Sequence, residues 1–138
     1  MCGLAGFFRT ADRSTEELEH ALRRMIDPIR HRGPDDSGTW CDPAAGIALG
    51  FRRLAILDLS ALGHQPMQSA SGRYTMIFNG EIYNFRQLRS ELERDGMRFC
   101  GHSDTEVILG AFEKWGVAQA VPRLLGMFAI AVWDGERR

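Results

Sequence analysis

The chain has 138 residues, 44% hydrophobic and 25% charged, the make-up of one folded domain that buries roughly two-thirds of its unfolded surface. Seventeen basic residues against eighteen acidic leave a net charge of −1, so no electrostatic footprint marks a nucleic-acid or anionic-membrane surface, and the expected partner is a small molecule or a protein. No apolar stretch reaches the ~20 residues of a bilayer span, and the start lacks a secretory signal, which makes the expected location cytoplasmic. Cys2, Cys41 and Cys100 have no paired spacing, so reduced thiols are expected rather than a disulfide framework or a metal site.

In chain order, Gly3 to Phe8 is a short apolar run whose glycines favour a strand over a helix. Ser14 followed by Glu17 reads as a capping box, and Leu18, Leu22, Met25, Ile26 and Ile29 then recur at helical spacing, predicting an amphipathic helix from about Thr15. Pro28, which has no backbone donor, should end or kink it. "HRGPDDSG" reads as a turn-rich loop. Strands are predicted at Thr39 to Cys41 and through "IALGFRRLAILDL", and "GHQPMQSASGR" reads as a loop. "YTMIFNGEIYN" is predicted to be two strands broken at Asn79-Gly80, a strong turn pair. Asn84 with Gln87 should cap a helix that stops at Gly96, and Ser103 with Glu106 another that stops at Gly116. "GMFAIAVWD" is a last strand. Strands broken by tight turns, with helices grouped between them, predict an α+β fold with helices layered outside mixed or antiparallel sheets. The end at "DGERR", directly after a strand, reads as a chain cut short.

Four features carry chemistry. Once Met1 is removed, Cys2 would own both a thiol and an α-amine that ionises near neutrality, a nucleophile with a base on its own residue. A lone cysteine is more commonly just a small buried apolar residue. Arg52 and Arg53 interrupt an apolar strand, so their side chains leave on opposite faces; the inward guanidinium suits a carboxylate as a bidentate fork, or a structural ion pair. Asn79-Gly80 can present a side-chain amide and a backbone N–H together, as oxyanion donors or merely as a hairpin turn. Asp104 at a helix start is expected to stay ionised, either as a cap or as a holder of an ammonium group. Nucleophile, oxyanion donors, carboxylate-binding cation and ammonium-binding anion together fit an amino acid with a reactive side-chain carbonyl.

In order, "MCGLAGFF", "HRGPDDSG", "RRLAILDLS", "GHQPM", "FNGEIYNF", "SDTEVIL" and "GMFAIAVWD" resemble the class II glutamine amidotransferase domain of glutamine-hydrolysing asparagine synthetases. The likeness spans essentially all of residues 1–138. It implies an N-terminal-nucleophile hydrolase fold, a four-layer sandwich with two stacked antiparallel sheets, incomplete at its C-terminal end. It also implies L-glutamine hydrolysis, with Cys2 as nucleophile and Asn79 and Gly80 as the oxyanion hole. Arg53 would bind the α-carboxylate, Leu54, Ala55, Ile56 and Leu57 would line the pocket, and Glu81 and Asp104 would surround the α-amine.

The same resemblance implies ammonia delivery to a C-terminal synthetase domain, absent from these residues, where ATP and magnesium activate aspartate for amidation. It leaves room for a homodimer. Phe51 stands where the family usually carries His, and Pro28 is unusual late in the first helix. The alternatives are an amidotransferase domain for another acceptor, a non-catalytic remnant acting as a binding module, and a self-processing hydrolase; the last is disfavoured because Cys2 needs only methionine removal.

Overall fold

The first strand, β1 (Gly3–Phe8), is followed by helix α1 (Thr15–Ile26) in a computed structural model that describes residues 2–9, 13–55 and 61–137. The capping box forms as predicted: Glu17 N–H donates to Ser14 Oγ at 3.2 Å, and Ser14 N–H to the Glu17 carboxylate at 3.0 Å. Leu18, Leu22 and Ile26 are the buried stripe, each worth about 1.5–3 kcal/mol of apolar burial. The helix stops at Ile26, with Asp27 as its cap, one residue before Pro28. Part of the predicted loop is regular: Arg30–Arg32 is a 3₁₀ turn, and strand β2 (Asp36–Asp42) begins earlier than the apolar pattern shows. Strand β3 (Ile47–Arg53) pairs antiparallel with both β1 and β2, giving the order β1-β3-β2. The predicted strand therefore ends at Arg53 rather than running on, and Ile56 and Leu57 lie outside the described residues.

The second sheet is β4 (Met67–Gln68), β5 (Tyr74–Ile82) and, after the helices, β6 (Gly126–Asp134), all antiparallel in the order β4-β5-β6. Here one expectation is corrected: Asn79-Gly80 is no turn, because β5 runs unbroken from Tyr74 to Ile82 with Asn79 opposite Ala129 and Gly80 opposite Phe128. Nine consecutive ladder pairs with β6 outweigh the local turn preference of the dipeptide. Helix α2 (Phe85–Arg94) starts after Asn84, but not through the predicted side-chain cap. Asn84 instead accepts from Leu125 N–H and donates to Arg123 O, both at 2.9 Å, tying the helix start to the approach of β6. Helix α3 (Asp104–Trp115) has its Ser103 cap, with Gly116 at φ 75° ending it as predicted. The short α4 (Val117–Ala120) and a 3₁₀ turn at Val121–Arg123 lead into β6 (Gly126–Asp134).

Strand alternation sorts the side chains into four layers. On β3, Ala48 packs beneath Leu18 and Leu22 of α1, whereas Leu49 and Phe51 face the other sheet and meet Ile77, Ala131 and Trp133. On β5, Tyr74, Met76, Phe78 and Ile82 take the opposite face and pack with Leu88, Leu92, Ile108 and Phe112 of α2 and α3. The result is helix, sheet, sheet, helices: an α+β fold as the pattern of elements predicts, with the two stacked antiparallel sheets that the family resemblance implies. Between the sheets, where β1, β3 and β5 approach at one end, a cleft opens.

Candidate active site

The cleft has a volume of about 470 Å³ and gathers side chains from four separate elements: Cys2 ahead of β1, Arg53 closing β3, Asn79, Gly80 and Glu81 on β5, and Asp104 opening α3. Cys2 packs against Leu49, Phe51 and Ile77, the inter-sheet core. Its thiol is held by the main chain just past β3: Leu54 N–H donates to Cys2 Sγ at 3.3 Å, and Leu54 O lies 3.6 Å from the same sulfur. Arg32 Nε donates to Cys2 O at 3.2 Å, so residue 2 is fixed at both its carbonyl and its side chain. No sequence pattern assigned Arg32 this place, although "HRGPDDSG" contains it.

Arginine alternation is as predicted. Arg52 leaves toward α1, donating to Ile26 O at 3.2 Å and to Asp27 Oδ1 at 2.5 Å. Arg53 turns inward, is only 8% exposed, and lays its guanidinium against Gly63, where a Cβ would overlap Nη2. Asp36 sits opposite Arg53 in the β2–β3 ladder. Burial pushes the Asp36 carboxyl up, but the 2.7 Å bond from His64, the Ser37 N–H, and the charges of His64 and Arg53 together hold it below its usual value. Asp35 braces the same corner, donating its N–H to Arg53 O at 3.0 Å and accepting Ala55 N–H at 2.9 Å. Leu54 lines the cleft; Ala55 is not among its lining residues and is engaged with Asp35 instead.

On β5, Gly80 has φ 151°, and an added Cβ would collide with Met127 O and the Cα of Phe128. Only glycine lets the two backbones approach this closely at that φ. Asp104, 5% exposed, accepts Ile82 N–H at 3.1 Å through Oδ2. Asp104 opens α3 as expected, but the helix-start donors do not dominate its titration. Burial outweighs the N–H donors of Ile82, Thr105 and Asp104 itself, and with the negative charge of Glu81 nearby the carboxyl titrates above its usual value. A cationic group in the cleft would offset that cost.

Sequence reasoning missed two polar residues in the wall. Gln65 is 5% exposed and Thr105 4% exposed; Gln65 Oε1 accepts Phe78 N–H at 2.6 Å while its Nε2 lies 3.4 Å from Thr105 Oγ1. "GHQPM" looked like loop, and nothing in its composition marked a buried amide. Cys41 packs under α1 and Cys100 is exposed, and neither lines the cleft. Among the described residues no cluster could hold a metal ion, and no helix is long and apolar enough to cross a membrane.

Comparison with known proteins gives concordant matches. A family model described as a glutamine amidotransferase domain matches residues 1–138. A protein assigned as a glutamine-hydrolyzing asparagine synthetase in Mycobacterium tuberculosis is 42% identical over 150 residues, covering 100% of this chain and 23% of the relative. Asparagine synthetase (glutamine-hydrolyzing) 2 of Bacillus subtilis is 44% identical over 138 residues, covering 99% of this chain and 18% of the relative. The chain thus spans less than a quarter of the length of these curated relatives. A solved glutamine phosphoribosylpyrophosphate amidotransferase from B. subtilis, complexed with ADP and GMP, superposes with a TM-score of 0.77 over 96% of this chain and 35% of its own; at 18% identity that likeness speaks for the fold.

Proposed function

The chain belongs to the glutamine amidotransferase domain family, and from that premise we propose that its cleft hydrolyses L-glutamine at Cys2, releasing ammonia. The observation that carries this reading is convergence: Cys2, Arg53, Asn79, Gly80 and Asp104, far apart in sequence, line one cavity of about 470 Å³. That set complements glutamine end by end. The Arg53 fork binds the α-carboxylate, and Asp104 with Glu81 binds the α-ammonium. The side-chain amide then extends toward Cys2, between Asn79 and Gly80.

With Met1 removed, the free α-amine of Cys2 takes the thiol proton and the sulfur attacks the amide carbon. The negative charge moves to the amide oxygen, where the Asn79 side-chain amide and the Gly80 N–H stabilise it. The α-ammonium returns its proton to the departing nitrogen, ammonia leaves, and a γ-glutamyl thioester remains. Water, activated by the same amine, cleaves the thioester to glutamate and regenerates the thiol. Leu54 N–H, already bonded to Cys2 Sγ, aims the sulfur and stabilises its thiolate.

These residues recognise the ammonia donor and carry no acceptor machinery that we assign. We extend the proposal to the whole protein only by kinship: a synthetase domain outside these residues would amidate aspartate activated with ATP and magnesium. The experiment incubates the Met1-processed chain with glutamine and measures glutamate and ammonia together. Equimolar products, lost in Cys2→Ala, are expected. A Cys2→Ala chain that still hydrolyses glutamine refutes the assignment. Feeding ammonia in place of glutamine to the protein that carries this chain, with candidate acceptors, tests the acceptor separately.

A further inference from the structure

Resting on the glutaminase reading above, we propose that Gln65 is a positioning residue that holds the oxyanion-binding stretch of β5 in register. Backbone groups of alternate residues on a strand point to the same edge. On the edge of β5 away from β6, Tyr74 O is bonded by Ser69 N–H at 2.9 Å, and β4 pairs only as far as Met76. Beyond that point, among the described residues, no strand continues beside β5, and its N–H groups need other partners. Side chains supply them: Gln65 Oε1 accepts Phe78 N–H at 2.6 Å, and Asp104 Oδ2 accepts Ile82 N–H at 3.1 Å.

The two-residue repeat places Gly80 N–H on that same edge, midway between the two clamped amides, and Gly80 lines the cleft. A full neighbouring strand would have consumed this donor; no support would have left it free to tilt. Gln65 resolves the conflict by ending the ladder with a side chain. It is itself anchored, with its Nε2 beside Thr105 Oγ1 on α3 and its backbone carbonyl packed against Gly38 of β2. The neighbouring His64 is bonded to Asp36, the ladder partner of Arg53. The His64-Gln65 pair therefore ties the carboxylate-binding end of the cleft to the oxyanion end. Gln65 acts through Phe78 on Asn79 and Gly80.

The test compares Gln65→Met, which removes both hydrogen bonds at similar volume, with Gln65→Glu, which keeps an acceptor for Phe78 N–H and a second oxygen to which the Thr105 hydroxyl can donate. Rates are referred to the number of competent sites, counted by labelling Cys2 with a diazoketone analogue of glutamine. Because misplacing a catalytic group by about 1 Å can cost up to 10²-fold, Gln65→Met should lower kcat about tenfold or more while KM changes by no more than about threefold. Gln65→Glu should recover kcat to within about threefold of the parent. If Gln65→Met does not fold, Thr105→Val, which frees only the Nε2 end, decides: kcat down at unchanged KM supports the proposal, and unchanged kcat overturns it. A purely structural residue would reduce the number of labelled sites and leave kcat per site intact, which also overturns it. A parent chain that labels at Cys2 but does not hydrolyse glutamine refutes the glutaminase reading and this proposal with it, whereas an active parent with an unaffected Gln65→Met refutes this proposal alone.

Discussion

Gly63→Ala is a sharp test of the cleft, because it alters a residue with no chemistry of its own. An alanine Cβ at this position would overlap Nη2 of Arg53 and sit 2.7 Å from its Cζ. Backbone yields less readily than the end of a flexible side chain, so the guanidinium would be the part to move, by roughly 1 Å or more, enough to disturb a bidentate contact. If one of the two charge-assisted hydrogen bonds to the glutamine α-carboxylate is lost, the cost is about 1.5–3 kcal/mol, or roughly 10- to 150-fold in KM. Chemistry at the distant amide should proceed at a similar kcat. Initial glutaminase rates across glutamine concentrations read both quantities, with thermal melting as a control for the fold. An unchanged KM in a folded Gly63→Ala chain would mean that Arg53 does not hold the carboxylate. A fall confined to kcat would place Gly63 and Arg53 at the wrong end of the substrate.

Cys2→Ala should abolish glutamate production, whereas Cys41→Ala and Cys100→Ala, which lie outside the cleft, should leave it within about twofold; mass spectrometry of the active chain should find Cys2 as its first residue. Asn79→Ala should lower kcat by ~10²–10³, the usual cost of one oxyanion donor, with little change in KM; a KM effect alone would remove Asn79 from the oxyanion hole. Arg52→Ala should lower stability by about 0.5–1 kcal/mol, since its partner Asp27 is 66% exposed, and leave KM unchanged, while Arg53→Lys should raise KM because an ammonium cannot make the fork. Asp104 titrates above the usual aspartate value, so the carboxylate proposed to hold the substrate ammonium is lost as pH falls through that raised value: KM should climb on acidification earlier than an ordinary aspartate would allow, and Asp104→Asn should have a high KM without that acid limb.

Elements with internal periodicity were legible, and contacts that cross the sandwich were not. The Ser14 capping box, the Leu18–Leu22–Ile26 stripe and the opposed arginines are local patterns, each fixed by the repeat of one helix or one strand. Asn79-Gly80 was misread because its turn preference is local while its strand conformation is imposed by β6, about fifty residues later in the chain. The upward pull on the Asp104 carboxyl was illegible for a related reason. A helix N-terminus can be read from sequence, but the burial that outweighs its donors depends on β5 lying across it. The same logic explains why Cys2, Arg53 and Asp104 could be nominated while Gln65 and Arg32 could not. A reactive group announces itself by type, whereas a residue that orients another is defined only by the partner it reaches. Asp104 belongs to both kinds: along one edge of β5 Gln65 holds Phe78, Asp104 holds Ile82, and Gly80 lies between them. On the proposed roles, substrate binding and oxyanion geometry share this strand edge, so a change at either clamp should be felt at the Gly80 donor between them.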